Sequence, residues 1–148
     1  MTGLGSDVAP VLLLTTTGRR TGRARTTPVI FIREGGAFVV SSENFGQRRP
    51  AAWPLNLDAE PRATVQLGSE TMPCVARRLS DAEADRYWDR LVEVWPAHAT
   101  YLKRSGQRHT FMLTPDALVR RPWAVRAGGG SDLGSPRRGR SAEPLFDP

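Results

Sequence analysis

The chain is poor in the residues that build self-sufficient chemistry. It has one cysteine, Cys74, so no internal disulfide framework is open to it. With that cysteine and only His98 and His109 as imidazoles, it lacks the ligands of a protein-built zinc site, and no metal is expected. No apolar run approaches the roughly 20 residues of a membrane span. Met1–Pro10 shows no basic-then-apolar leader, so a cytoplasmic protein is expected. Also absent are a Gly-x-Ser-x-Gly elbow, a Walker loop, a His-Glu-x-x-His helix, a Gly-x-Gly-x-x-Gly turn and closely spaced paired carboxylates. A domain without a nucleophile–base pair borrows its chemistry from a cofactor.

What is present is organised around Val11–Ile32. Two runs rich in Leu, Val, Ile, Thr and Phe read as strands, and the turn between them holds Arg19, Arg20, Arg23 and Arg25 with no acidic residue from Gly18 to Arg25. Guanidinium groups fork onto phosphate and carboxylate oxygens, so the tip reads as an anion receptor. The same run also fits an ordinary solvated hairpin tip. Of the net charge of +6, this tip carries +4 and the segment from Arg120 to Pro148 carries +3, which leaves the rest at −1. A duplex-binding face would spread its basic residues more widely, because affinity scales with the number of phosphates neutralised. A compact anionic ligand needs only a local cluster, and no nucleic-acid partner is expected.

With 148 residues and 39% hydrophobic content, the chain suits one core. An irregular lead-in is expected over residues 1–10, a single domain over 11–123, and a disordered Gly/Arg/Pro-rich tail over 124–148. After the basic turn, strands are expected at Thr27–Arg33 and Ala37–Ser42, joined through Glu34-Gly35-Gly36. Glu43–Pro50 reads as a polar loop and Ala51–Ala59 as a short helix with Pro54 in its first turn. Further strands are expected at Arg62–Leu67, Thr71–Leu79 and His109–Thr114. Met72, Cys74 and Ala76 share one face, and Cys74 reads as an inert core residue. Ser80-Asp81-Ala82-Glu83 is a capping box that opens a helix with Ala84, Tyr87, Trp88, Leu91, Val92 and Trp95 at helical spacing. That stripe reads as core-facing. A second helix follows at Ala97–Ser105, stopped by Gly106. About six mainly antiparallel strands with flanking helices make an α+β domain whose sheet curls into a barrel.

Leu13-Leu14-Thr15-Thr16-Thr17-Gly18-Arg19-Arg20-Thr21-Gly22-Arg23-x-Arg25, followed by Pro28, resembles the signature of the deazaflavin (F420)-dependent nitroreductases, the F420H2-dependent quinone and nitro reductases of actinobacteria. Arg33-x-Gly35-Gly36, Val39-Val40-Ser41-Ser42, Trp53-x-Leu55-Asn56-Leu57, and the helix through Tyr87-Trp88 to Trp95-Pro96 extend the likeness, in order, from Val11 to Pro115. The resemblance implies a split β-barrel (FMN-binding-like) and a polyanionic cofactor, coenzyme F420, which carries a phosphodiester and an oligoglutamate tail. It implies that Arg19, Arg20, Thr21 and Arg25 meet the phosphate and tail. Thr26, Thr27, Pro28, Val29 and Ile30 line the cofactor, as do Ser41, Ser42, Glu43 and Asn44 at the next strand end and Ala52, Trp53, Pro54, Leu55 and Asn56 on the short helix.

His98 and Tyr101 fall where the family presents tyrosines to substrate. Tyr101, His98 and Ser42 are the candidate proton donors, with Tyr101 first because it retains the family's residue type. Ile30, Glu43, His98 and Asn44-Phe45 depart from common family residues, mostly on the substrate side. The implied reaction moves a hydride from F420H2 to a quinone, nitro compound or activated enone. FMN on a related barrel is the alternative cofactor, and an RNA- or DNA-binding module is a third reading. A monomer or homodimer is expected, with the basic tail able to touch anionic lipid at the inner face of the membrane.

Overall fold

The computed structural model describes residues 10–120. The tail expected over 124–148, and all of the expected lead-in except Pro10, lie outside the described residues. Six strands run in chain order: β1 (Val11–Thr17), β2 (Ala24–Glu34), β3 (Ala37–Ser42), β4 (Arg62–Leu67), β5 (Glu70–Arg78) and β6 (His109–Pro115). Helices α1 (Ala52–Ala59), α2 (Asp81–Val94), α3 (Ala97–Ser105) and α4 (Asp116–Arg120) sit between or after them, with a 3-10 turn at Asn44–Gly46. Every strand pairing is antiparallel, and the order β1-β2-β3-β6-β5-β4 closes on itself through β1 and β4. The expected barrel and all six expected strands are present.

Strand alternation fills the barrel. Leu12, Leu14, Val29, Phe31, Phe38, Val40, Val65, Cys74, Phe111 and Leu113 form one buried cluster, with Trp53 and Leu57 of α1 packed onto it. β3 is buried at every position because its other face carries α2. There Ile32, Val39 and Leu79 meet Ala84 and Leu91, flanked by Tyr87, Trp88 and Met112. Ala84, Tyr87, Trp88 and Leu91 of the stripe thus face the core as its periodicity suggests, whereas Trp95, at the C-cap of the helix, lies outside this cluster. The capping box forms in full, with the Ser80 amide donating to Glu83 Oε1 at 2.9 Å and the Glu83 amide donating to Ser80 Oγ at 3.2 Å. Cys74 is 1% exposed. Burial, and then the nearby Asp116 carboxylate, push its thiol up to about 12, which makes it an inert core residue.

Some boundaries differ from the sequence expectation. β2 begins at Ala24, not Thr27, because the ladder with β1 continues to Thr17↔Ala24 before the turn closes. The loop after β3 contains the 3-10 turn, and α4 follows Pro115 where no element is expected. Both are one-turn features too short for a periodicity signal. No helix among the described residues is long and apolar enough to cross a membrane.

Candidate active-site groove

A groove of about 630 Å3 runs along one side of the barrel, from the β1–β2 turn to the N-terminal part of α3. Its basic end is a tightly closed turn. The Gly18 amide donates to Arg23 O and the Gly22 amide to Gly18 O, both at 2.8 Å, with Gly22 at φ 74°. The Arg23 amide donates to Thr21 Oγ1, so the threonine hydroxyl is folded back into the turn. It lies where a side chain on Gly18 would collide, with Oγ1 only 2.8 Å from the site of a Cβ.

One buried side chain ties this turn to the barrel. Asn56 of α1 is 3% exposed; its Oδ1 accepts from the Arg19 amide at 3.0 Å and its Nδ2 donates to Thr16 Oγ1 at 3.1 Å. The cofactor-lining role implied for Asn56 is therefore accompanied by a structural one that the sequence pattern does not reveal. Charge is arranged with equal economy. Arg62, Arg77, Arg78, Arg90 and Arg108 each sit against a carboxylate, whereas among the described residues Arg19, Arg20, Arg23 and Arg25 form no ion pair. Paired arginines are neutralised surface. Arg33, Arg48, Arg49, Arg86 and Arg104 likewise form no ion pair, so what sets the tip apart among the described residues is the concentration of four such arginines between positions 19 and 25.

The middle of the groove is lined by Thr27, Pro28, Val29 and Ile30 of β2 and by Ala52 and Trp53 of α1. Its far end is built by Ser41, Ser42, Glu43, Asn44 and Phe45 facing Trp95, His98 and Tyr101. The chain makes a sharp corner here: Asn44 and Phe45 both hold left-handed backbone, at φ 49° and 55°. The Asn44 amide donates to Ser42 Oγ at 3.1 Å, and Gly46 comes next at φ 84°. Phe45, 65% exposed, meets Tyr101 and Trp95 edge-on at 5.6 and 6.5 Å between centroids.

Beneath these rings lies a buried polar chain. His98 Nδ1 is 2.7 Å from Glu43 Oε1, and the two side chains are 1% and 2% exposed. Ser41 Oγ donates to Glu43 Oε2 at 2.7 Å and lies 3.1 Å from Thr110 Oγ1. Since the Ser41 proton is engaged by Glu43, Thr110 is the donor in that second bond. His98 Nε2 is buried and has no hydrogen-bond partner among the described residues.

Of the residues that sequence reasoning proposes for the site, the groove brings together Arg19, Arg20, Thr21, Arg25, Thr27, Pro28, Val29, Ile30, Ser41, Ser42, Glu43, Asn44, Ala52, Trp53, Asn56, His98 and Tyr101. Thr26, Pro54 and Leu55 are not in its wall. Thr26 is exposed and its hydroxyl is 2.6 Å from that of Thr15 across the β1–β2 ladder; Pro54 is buried within α1. Val11, Thr16, Gly18, Phe45, Ala51 and Trp95 line the groove without having been proposed. The β1–β2 register signals Val11, which pairs with Ile30. Phe45 needs the left-handed corner, which no local pattern announces.

The architecture is that of a split β-barrel protein with a groove basic at one end and aromatic at the other. The family profile described as "F420H(2)-dependent quinone reductase" matches residues 2–114, and the chain belongs to that family. An F420H(2)-dependent quinone reductase of Mycobacterium tuberculosis (strain H37Rv) is 32% identical over 81 residues, covering 53% of this chain and 54% of that protein. The chain thus spans about half the length of the curated relatives it matches first. A solved structure described as an F420-H2 dependent reductase is 29% identical with a TM-score of 0.64, over 70% of this chain and 93% of its own. Another, described as a domain-swapped dimer, has the same identity and TM-score over 70% of this chain and 79% of its own. A haem storage protein from Vibrio cholerae shares the fold alone, at 17% identity and TM-score 0.57, over 76% of this chain and 86% of its own.

Proposed function

We propose that this chain binds reduced coenzyme F420 in the groove and reduces a quinone-type acceptor at its aromatic end. The observation that carries the reading is the division of the groove: Arg19, Arg20 and Arg25, without ion pairs among the described residues, at one end, and an apolar wall leading to a buried polar chain at the other. The donor set fits the group. A phosphodiester and a glutamate tail match the forked, unpaired guanidiniums of Arg19, Arg20 and Arg25, and the glycines of the turn keep the backbone low beneath them. Bound there, reduced F420 supplies a hydride.

The residues themselves bind, orient and dry the site. Val29, Ile30 and Trp53 exclude water from the flat part of the groove, which protects hydride transfer from side reactions. The strand end Ser41–Asn44 and α3 confine the acceptor between two walls and so limit its orientation. Ser42, His98 and Tyr101 are the groups within the far end that bear an exchangeable proton. Quinones suit the aromatic end best; nitro compounds and enones share the need for a hydride and a proton. A homodimer, and contact of the basic residues 124–148 with anionic lipid, complete the proposal. The second is tested by liposome flotation with and without that segment.

Separate titrations with reduced F420 and with FMN test the cofactor. Saturable binding of F420, weakened at least about tenfold when Arg19 and Arg25 are both replaced by alanine, is expected, since each charge-assisted contact contributes about 1.5–3 kcal/mol. The four turn arginines are exposed, so the double variant keeps its fold. Unchanged F420 affinity in that variant, or turnover with FMN alone, overturns the assignment.

A further inference from the structure

We propose that His98 is the proton donor to the acceptor, acting through Nε2, and that Glu43 is the residue that positions and polarises it. The proposal rests on the reductase reading above and narrows its far end to one donor.

The argument is one of hydrogen-bond accounting. Glu43, ionised, only accepts, so its 2.7 Å contact makes His98 Nδ1 the donor and fixes the proton on that nitrogen. The Thr110 and Ser41 hydroxyls point their dipoles at the other carboxylate oxygen, which holds Glu43 in place and stabilises its charge. Nε2 is then the one ring nitrogen with a proton to exchange. It is also the one buried side-chain nitrogen or oxygen among the described residues left without a partner. An unsatisfied buried group persists at a cost of about 1–3 kcal/mol, so it calls for a partner that arrives later.

The other candidates are weaker acids. Ser42 Oγ accepts from the Asn44 amide and the Tyr101 ring packs edge-on against Phe45 and Trp95, but an alcohol and a phenol release a proton far less readily than an imidazolium. Trp88 and Trp95 flank the imidazole at 5.9 and 5.3 Å between centroids, keeping water from it.

The step balances simply. Hydride addition reduces a quinone to its quinol monoanion as the deazaflavin is oxidised. The Nε2–H bond of the imidazolium breaks, its electron pair stays on Nε2, and an O–H bond forms on the quinol. The neutral imidazole then recovers a proton from water as product leaves.

The test uses the full chain and the variants His98→Gln, Glu43→Gln and Tyr101→Phe, with menadione as acceptor. His98→Gln should lower kcat about a hundredfold, the size of a lost general acid, while F420 affinity stays within about twofold. Glu43→Gln keeps the shape and an acceptor oxygen for Nδ1, and should fold. In it, kcat should fall while KM and F420 affinity stay within about twofold, because the ring has lost the carboxylate that orients it. Tyr101→Phe should lower kcat by clearly less than His98→Gln does, because a phenol is a weaker acid than an imidazolium. Ring-nitrogen NMR without cofactor should show the neutral ring of His98 carrying its proton on Nδ1. Near-normal turnover in a folded His98→Gln protein, or a neutral His98 carrying its proton on Nε2, overturns the donor assignment. A wild type that binds F420 but whose Tyr101→Phe variant alone loses turnover overturns it equally. Failure of the wild type to oxidise reduced F420 overturns the underlying reading instead.

Discussion

Asn56 offers the sharpest way to separate stability from binding, because its two hydrogen bonds do different jobs. One holds the Thr16 hydroxyl, 2% exposed inside the barrel end; the other holds the backbone amide of Arg19 in the basic turn. In Asn56→Ala both are lost. Thr16 is left buried without its partner, at about 1–3 kcal/mol, and the lost amide contact adds about 0.5–1.5 kcal/mol. The expected loss of stability is about 2–4 kcal/mol, a drop in Tm of roughly 6–17 °C for a domain of this size. The turn also gains freedom. Each residue released costs about 1–2 kcal/mol to order again on binding, so F420 affinity should fall about tenfold or more.

Thr16→Val isolates the first bond. It leaves the Asn56 nitrogen unpartnered but keeps the oxygen on the Arg19 amide, so stability should fall by about 1–3 kcal/mol while affinity stays within about twofold. Urea denaturation, fluorescence titration with F420 and hydrogen exchange at the Arg19 amide read the three quantities separately. Accelerated exchange at Arg19 in Asn56→Ala, but not in Thr16→Val, is the expected signature. Equal affinity losses in the two variants, or undiminished protection of the Arg19 amide in Asn56→Ala, refute the anchoring role.

Three other perturbations follow from the same geometry. Cys74, its thiol pushed up to about 12, should resist iodoacetamide at pH 8 in the native protein and react once unfolded; rapid native labelling would contradict the burial argument. His109 is held below the usual imidazole range by burial, then by Arg78, whose guanidinium donates to its Nδ1 at 3.1 Å. The unfolded chain therefore takes up that proton first: the contribution is complete above about pH 6.5 and is lost as pH falls through the lowered folded value. A thermal-denaturation series should show a shallower acid decline in His109→Gln, and an unchanged slope would remove His109 from the account. Gly46→Ala places a side chain at φ 84° with its Cβ 3.1 Å from Arg104. It should cost about 1–2 kcal/mol in urea denaturation, and a neutral result would show the corner to be relaxed.

The fold was legible because its signals are local. Alternation marked the strands, Gly18–Arg23 and Glu34–Gly36 marked the turns, and Ser80 with Glu83 marked the start of α2. The elements that escaped, α4 and the turn at Asn44–Gly46, are single turns whose existence depends on what they pack against. The turn is held from outside: Arg48 O accepts from Gln107 at 2.7 Å, and the Arg104 side chain of α3 lies against Gly46. Periodicity has no purchase on contacts of that range.

The site divides along the same line. Clustering of arginines is visible in a row of letters, but whether an arginine is already answered by a carboxylate is a fact of tertiary structure. Arg78 looks as basic in sequence as Arg25, yet it is neutralised by Asp58, twenty positions away, at 2.6 Å. At the acceptor end the logic is reversed. Glu43 and His98 each read singly as a departure, one an acid beside an anion site and the other an imidazole among expected tyrosines. Together they are one device: the negative charge is buried 2.7 Å from a proton-bearing ring, and the Ser41 hydroxyl holds its other oxygen. Glu43 accepts from the ring and so fixes which nitrogen of His98 carries the proton, and His98 gives the buried carboxylate a donor it would otherwise lack. Losing either member leaves the other buried without its partner, so each single substitution is expected to cost about 1–3 kcal/mol of stability in urea denaturation.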